Sequence, residues 1–408
     1  MVVILYQVDC QDIAEKTASD LSSAFKDQVT VTQVAADSAS SWPANIFWDD
    51  LLIVMYRDGD FPVPGNEFIA NYVQGRSNTA LLLPVALGVA SRKPPEPAAA
   101  IKALRYDTAA SGPTGRLVNR VGGMLGLRMQ GRDSKIFISY RASDGTPIAK
   151  QIFDYLTALG HRAFLDEATE YDGETRILPG TPVQKQIDDA LSHANLVLLI
   201  DTPAAPASAW IKHEVDTADA LLLPILPICV RDAGDPRHGP RFRSLVALQR
   251  WISLQHPVAP GNPPLSPDQL EQIVGEAEKY LCEIFRRKCR VPFLVEKEFI
   301  SRGFAWKVLD ERLLMFESLK IQSPRLQTKV VSHCSIFDQI YTPAIRRFCD
   351  FLRASGRANY SLFIYDGELF AAPQLEELVK SQPEEVIILH HQELAALIDS
   401  NFTKLGTT

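Results

Sequence analysis

An α/β fold built on parallel sheets is what this sequence predicts, and three observations carry the prediction. Short runs of Val, Ile and Leu recur from the first residues to Val230, among them "VVILY", "DLLIVMY", "KIFIS" and "NLVLLID". Segments of helical periodicity stand between them. The runs are continuously apolar rather than alternating, as strands buried on both faces must be, and a sheet covered by helices on both sides buries its strands that way.

In chain order, "VVILYQVD" (2–9) reads as a strand, "QDIAEKTASDLSSAF" (11–25) as a helix, and "VTVTQVA" (29–35), "DLLIVMYRD" (50–58) and "LLLPVALGV" (81–89) as further strands. Residues 1–95 form a first α/β unit on this reading. A segment over 96–132 follows a Pro-rich stretch and carries "GRLVNRVGGMLGLRMQ", an amphipathic helix interrupted by glycines, so it is expected to be a linker.

The order then repeats over 133–255. "KIFIS" (135–139) is a strand, and "TPIAKQIFDYLTALG" (146–160) is a helix with Gly160 suited to its C-cap. "HRAFLD" (161–166) is a strand, "VQKQIDDALSHA" (183–194) a helix and "NLVLLID" (195–201) a buried strand. Residues 210–220 make a helix and "LLLPILPICV" (221–230) another strand. "LLIVMY…NEFIANYV…ALLLPVAL" parallels "LVLLID…KHEVDTAD…ALLLPILP", with Glu67 in the place of Glu214, which suggests a duplicated unit.

Five prolines within 255–269 then break the chain before a strong helical pattern at 266–288, in which Ser266 suits an N-cap and Pro267 the first helical position. "YSLFIYDG" (360–367) and "EEVIILHH" (384–391) read as strands flanking a helix at 373–381. Residues 266–408 are thus expected to be a smaller α/β or α+β domain with a regulatory or sensing role.

Length and composition bound the function. A chain of 408 residues exceeds what one core serves, and 46% hydrophobic with 22% charged residues is ordinary globular composition. The net charge of −7, with no basic region, argues against direct nucleic-acid binding. The cysteines are scattered, so neither a disulfide framework nor a zinc-finger spacing is expected. No basic leader or long apolar run is present, and a cytoplasmic protein without a membrane anchor is the expectation. His390 and His391 read as surface histidines, because no Cys, His or Asp spacing joins them to a second cluster, and no metal or resident cofactor is expected.

"FISYR" at one strand end, "FLDE" at the next, a polar loop ending "LPGTPVQKQI" and the helix "SAWIKHEVDTA" together resemble the Toll/interleukin-1 receptor (TIR) domain family. The resemblance points to its NAD-cleaving, bacterial-type branch. It implies a flavodoxin-like parallel sheet for 133–255 and a TIR-like but non-catalytic unit before it, since that unit has Val63 where the second has Trp210 and lacks the Ser-Tyr-Arg run.

Trp210 and Glu214 are four apart, so a helix places them one turn apart, an aromatic plate beside a carboxylate. Cleavage of the nicotinamide–ribose bond builds positive charge on the sugar, which a fixed carboxylate stabilises. The resemblance implies Glu214 as the catalytic residue, and Trp210, Arg141, Tyr140, Ser139 and Asp166 as substrate-binding residues. Arg141 suits a diphosphate, or equally a salt bridge to Asp144 or Asp166.

The loop 167–182, with Gly180 and Pro182 at its end, is where TIR domains of this kind meet a neighbouring protomer. The expected function is NAD+ glycohydrolysis to nicotinamide and ADP-ribose or a cyclic product, in defence or signalling. Self-association would activate it, and a partner protein or nucleotide would act at the C-terminal region. The alternative is a non-enzymatic adaptor.

Overall fold

A computed structural model describes residues 1–25, 29–40, 50–57, 61–76, 81–87, 93–106, 108–109, 111–112, 114–129, 135–165, 183–242, 245, 250–257, 264–323, 326–337, 341–355, 358–366 and 386–403. The chain divides into two compact units, Met1–Glu214 with Ile225–Val246 and Arg250–Phe285, and Val215–Pro224 with Ala247–Gln249 and Arg286–Thr408.

Two five-stranded sheets make up the first unit. In one, β1 (Val2–Tyr6), β2 (Val31–Ala35), β3 (Leu51–Tyr56), β4 (Leu82–Ala86) and β5 (Leu104–Arg105) lie in the order β2-β1-β3-β4-β5, every pair parallel. In the other, β6 (Lys135–Ser139), β7 (Ala163–Phe164), β8 (Ala194–Asp201), β9 (Ile225–Arg231) and β10 (Ile252–Gln255) lie in the order β10-β9-β8-β6-β7, again all parallel.

Read from the second strand of each set, the two sheets have the same 2-1-3-4-5 order, that of flavodoxin-like folds, in which ligands bind at the carboxyl ends of the strands. The continuous apolar runs account for this: β3, β4, β8 and β9 are buried at every residue. Helices α1 (Gln11–Phe25) and α2 (Val63–Arg76) belong to the first set, and α4 (Ala142–Ala158), α5 (Val183–Ser192) and α6 (Ala209–Ala220) to the second.

Between the sets, α3 (Arg116–Met129) packs on the first part of α7 (Pro267–Ser301), and the glycines of "GGMLG" are the contact. A Cβ on Gly122 would stand 2.3 Å from the Cys282 Sγ, and one on Gly126 3.2 Å from the Phe285 Cβ. The segment read as a linker thus holds a closely packed helix inside the first unit. One strand, β5, also extends the first sheet beyond residue 95. A buried polar cluster ties the same elements: Glu278 on α7 receives Arg120 from α3, and its Oε1 lies 2.8 Å from the His161 Nε2.

The second unit holds a mixed sheet in the order β11-β12-β13-β14-β15: β11 (Ala305–Asp310), β12 (Met315–Ser323), β13 (Leu326–Cys334), β14 (Tyr360–Tyr365) and β15 (Val386–His390). The first three strands run antiparallel and the last three parallel. Helix α8 (Thr342–Ser355) connects β13 to β14, and α9 (Leu394–Asp399) follows β15.

Helix α7 runs past the expected end at residue 288 and through Pro292. Val291, Val295 and Phe299 are fully buried in the core of this unit, and that burial offsets the cost of about 3 kcal/mol of a proline within a helix. Among the described residues, no helix is long and apolar enough to cross a membrane. The expected helix at 373–381 lies outside them.

Candidate functional site

The second parallel sheet ends in a cluster of polar side chains. β6 runs fully buried from Ile136 to its last residue, Ser139, which is 1% exposed, and Tyr140 follows at 8%. Arg141 then caps α4 in an extended conformation. Gly145 lies beneath Tyr140, and a Cβ there would come within 3.1 Å of the tyrosine's own Cβ.

Helix α6 supplies the other side. The Ile211 N–H donates to the Ser208 Oγ, a weak 3.4 Å cap at the helix start. Ile211, Val215 and Ala218 form the buried stripe of this helix, and Glu214 lies beside it at 7% exposure.

The central contact joins two residues 75 apart in sequence: the Ser139 Oγ donates to the Glu214 Oε2 at 2.6 Å, both side chains buried. The strand end and the helix therefore hold one carboxylate at the carboxyl edge of β6. Trp210 is half exposed at 50%, so helical spacing places it one turn away but the fold leaves it largely in solvent.

Arg141 approaches Asp144, with Nη1 3.7 Å from Oδ2. Of the two carboxylates the sequence offered it, Asp144 is the one in reach among the described residues. Asp166, Gly180 and Pro182 fall outside them, as does the whole loop 166–182.

Sequence reasoning missed a second feature of this edge. Asp201 ends β8, Arg231 ends β9, and both are buried. The Arg231 Nη2 donates to the Asp201 Oδ2 at 2.7 Å and to the Gly239 carbonyl at 2.9 Å. Nη1 donates to the Asp201 and Val230 carbonyls, and the Arg241 N–H donates to the Asp201 Oδ2 at 2.8 Å. A charged residue closing each of two apolar runs, "LVLLID" and "PICVR", was the signal available. Beside them, burial first and then Asp201 push the Cys229 thiol up to about 12, so it stays protonated.

Among the described residues, the first sheet has no counterpart of the Ser139–Glu214 pair. Tyr6 ends β1 where Ser139 ends β6, and on α2 both Val63 and Glu67 are exposed.

What this arrangement can do chemically is hold the buried Glu214 carboxylate, oriented by the Ser139 hydroxyl, with Arg141 soon after that serine in the chain and Trp210 one helical turn away. Residues 136–262 match the family model described as TIR domain. No curated protein matches the chain. A solved structure of a candidate phosphosugar isomerase from Silicibacter pomeroyi DSS-3 aligns at 17% identity over 70% of this chain and 85% of that one, with a TM-score of 0.19, too low to carry an argument.

Proposed function

Residues 136–262 being a TIR domain, we propose that the chain is a signalling or defence effector that cleaves NAD+ at the nicotinamide–ribose bond. The observation that carries this reading is the buried Glu214 carboxylate, held by the Ser139 hydroxyl at the ligand-binding edge of the sheet.

In the proposed step the bond between C1′ of the ribose and the pyridinium nitrogen breaks, and its electron pair leaves with nicotinamide. The sugar becomes an oxocarbenium ion, and the anionic Glu214 stabilises it in a site with little water. Water then attacks C1′ and loses a proton, giving ADP-ribose. Attack by a ring nitrogen of the adenine would give a cyclic product instead.

Ser139 acts as a positioning residue, since its hydroxyl fixes one oxygen of the carboxylate and directs the other. Arg141 would pair with the diphosphate and Trp210 offer its exposed face to a flat ring. Tyr140, which follows Ser139, and Asp166 would add further contacts to the substrate. Gly180 and Pro182 belong to the loop through which a second copy would complete the site, so self-association would set the activity.

Nicotinamide release by wild type and Glu214→Ala tests this reading. A loss of at least about a hundredfold in the variant, with fold retained, is expected from removal of a transition-state charge partner. Equal turnover by the two proteins would remove Glu214 from the reaction, and none by the wild type at any concentration would favour the adaptor.

A further inference from the structure

The second unit carries a ligand set that the sequence reading set aside. β14 and β15 pair in parallel with Tyr365 opposite His390, so the residues that follow, Asp366 and His391, meet at the carboxyl ends of the two strands. The nearest ligand atoms of Asp366, His390 and His391 all lie within 4.8 Å of one another. Of the two histidines read as surface residues, His391 is buried at 9% exposure and His390 is partly exposed. Their carboxylate partner was invisible in sequence because it lies on a neighbouring strand, brought alongside by register alone.

Three observations point to a cation. The His391 Nδ1 is buried without a hydrogen bond among the described residues, yet it stands 3.3 Å from the Asp366 Oδ1. The His390 Nε2 stands 3.7 Å from the same oxygen. Donors bound to one tetrahedral ion at about 2.1 Å are about 3.4 Å apart, so the observed separations need little adjustment. The other side of the carboxylate is already engaged, with the Arg290 Nη1 3.6 Å from Oδ2, and the Arg287 Nε donates to the Asp366 carbonyl at 3.3 Å.

We propose that Asp366, His390 and His391 bind one divalent transition-metal ion of the zinc class. Two imidazoles and one carboxylate suit zinc, nickel or copper rather than magnesium or calcium, which prefer oxygen throughout. Asp366 and His391 are the preset pair. His390 is the ligand that must change tautomer: its Nδ1 now accepts from the Gln392 N–H at 3.3 Å, and ligation through Nε2 moves the ring proton to Nδ1 and gives up that bond. Three protein donors leave a coordination position for water or a ligand.

The test uses the 408-residue chain, stripped with a chelator and titrated calorimetrically with Zn2+, with bound metal counted by mass spectrometry. Asp366→Asn, His391→Gln and His390→Ala are compared, each checked by circular dichroism, and His193→Ala serves as a control at an exposed histidine. One Zn2+ per chain is expected for wild type and control, weakened at least about tenfold by each ligand substitution. Co2+ should give a visible absorption band that the ligand variants lose. If His391→Gln does not fold, the other two variants decide. Absent stoichiometric binding, binding unchanged in the ligand variants, or displacement of Zn2+ by millimolar Mg2+ would overturn the proposal.

Discussion

Ser139 and Glu214 show how much one hydroxyl can decide. The 2.6 Å bond is charge-assisted and buried, the class of hydrogen bond worth about 1.5–3 kcal/mol. On the proposed reading of Glu214, Ser139→Ala should lower kcat for NAD+ cleavage by about tenfold to a hundredfold and leave the KM less affected, with Ser139→Thr recovering part of the loss. A variant that changed only stability would show a structural role instead. Arg231 is the corresponding test of the scaffold. Arg231→Met strands the Asp201 carboxylate in a dry site and should destabilise the first unit by about 3–5 kcal/mol in urea unfolding.

His333 sets a pH dependence at the same scale. Burial first drives its imidazole down to about 4, against a partly compensating bond to the Leu313 carbonyl at 2.8 Å, and its ring packs on Phe348 and Phe363. The unfolded chain binds this proton below about pH 6.5 while the folded one does not until about 4. The contribution is thus complete above 6.5 and falls away as pH drops towards 4, by an amount on the order of 3 kcal/mol. His333→Phe should flatten that slope in unfolding of the second unit measured between pH 7 and 4.

At the scale of elements, the glycines of α3 are the instructive case. Read from sequence they interrupt an amphipathic helix, each costing about 1 kcal/mol relative to alanine. In the fold they let two backbones approach, and Gly122 has no room for a Cβ beside Cys282. Gly122→Val should destabilise the first unit by about 1–3 kcal/mol through overpacking, whereas the same change at Gly75, which has nothing within 4 Å of an added Cβ, should cost far less. A substitution at Gly122 with no effect on thermal unfolding would show that the helices separate easily. The strands β11 to β13 teach the converse. Their sequence, "AWKVLD", "MFESLKIQS" and "LQTKVVSHC", mixes charge and apolar residues because these strands are partly exposed, and no clean period marked them.

For the whole molecule, the prediction concerns assembly. If a second copy completes the site, nicotinamide release per chain should rise with protein concentration, and specific activity independent of concentration over two decades would exclude that requirement. The sequence by itself determined the parallel α/β class, the order of elements through Arg231 apart from α2 and β5, the TIR assignment and the pairing of Trp210 with Glu214 on one helix, because local periodicity and burial on both faces write themselves into consecutive residues. Only the tertiary structure decided which side chains meet. Ser139 reaches Glu214, Arg231 closes on Asp201, Glu278 gathers Arg120 and His161, and Asp366 comes beside two histidines, in each case because strand register or helix crossing joins residues that sequence spacing leaves far apart. Such contacts depend on the path of the whole backbone, and no local pattern records them.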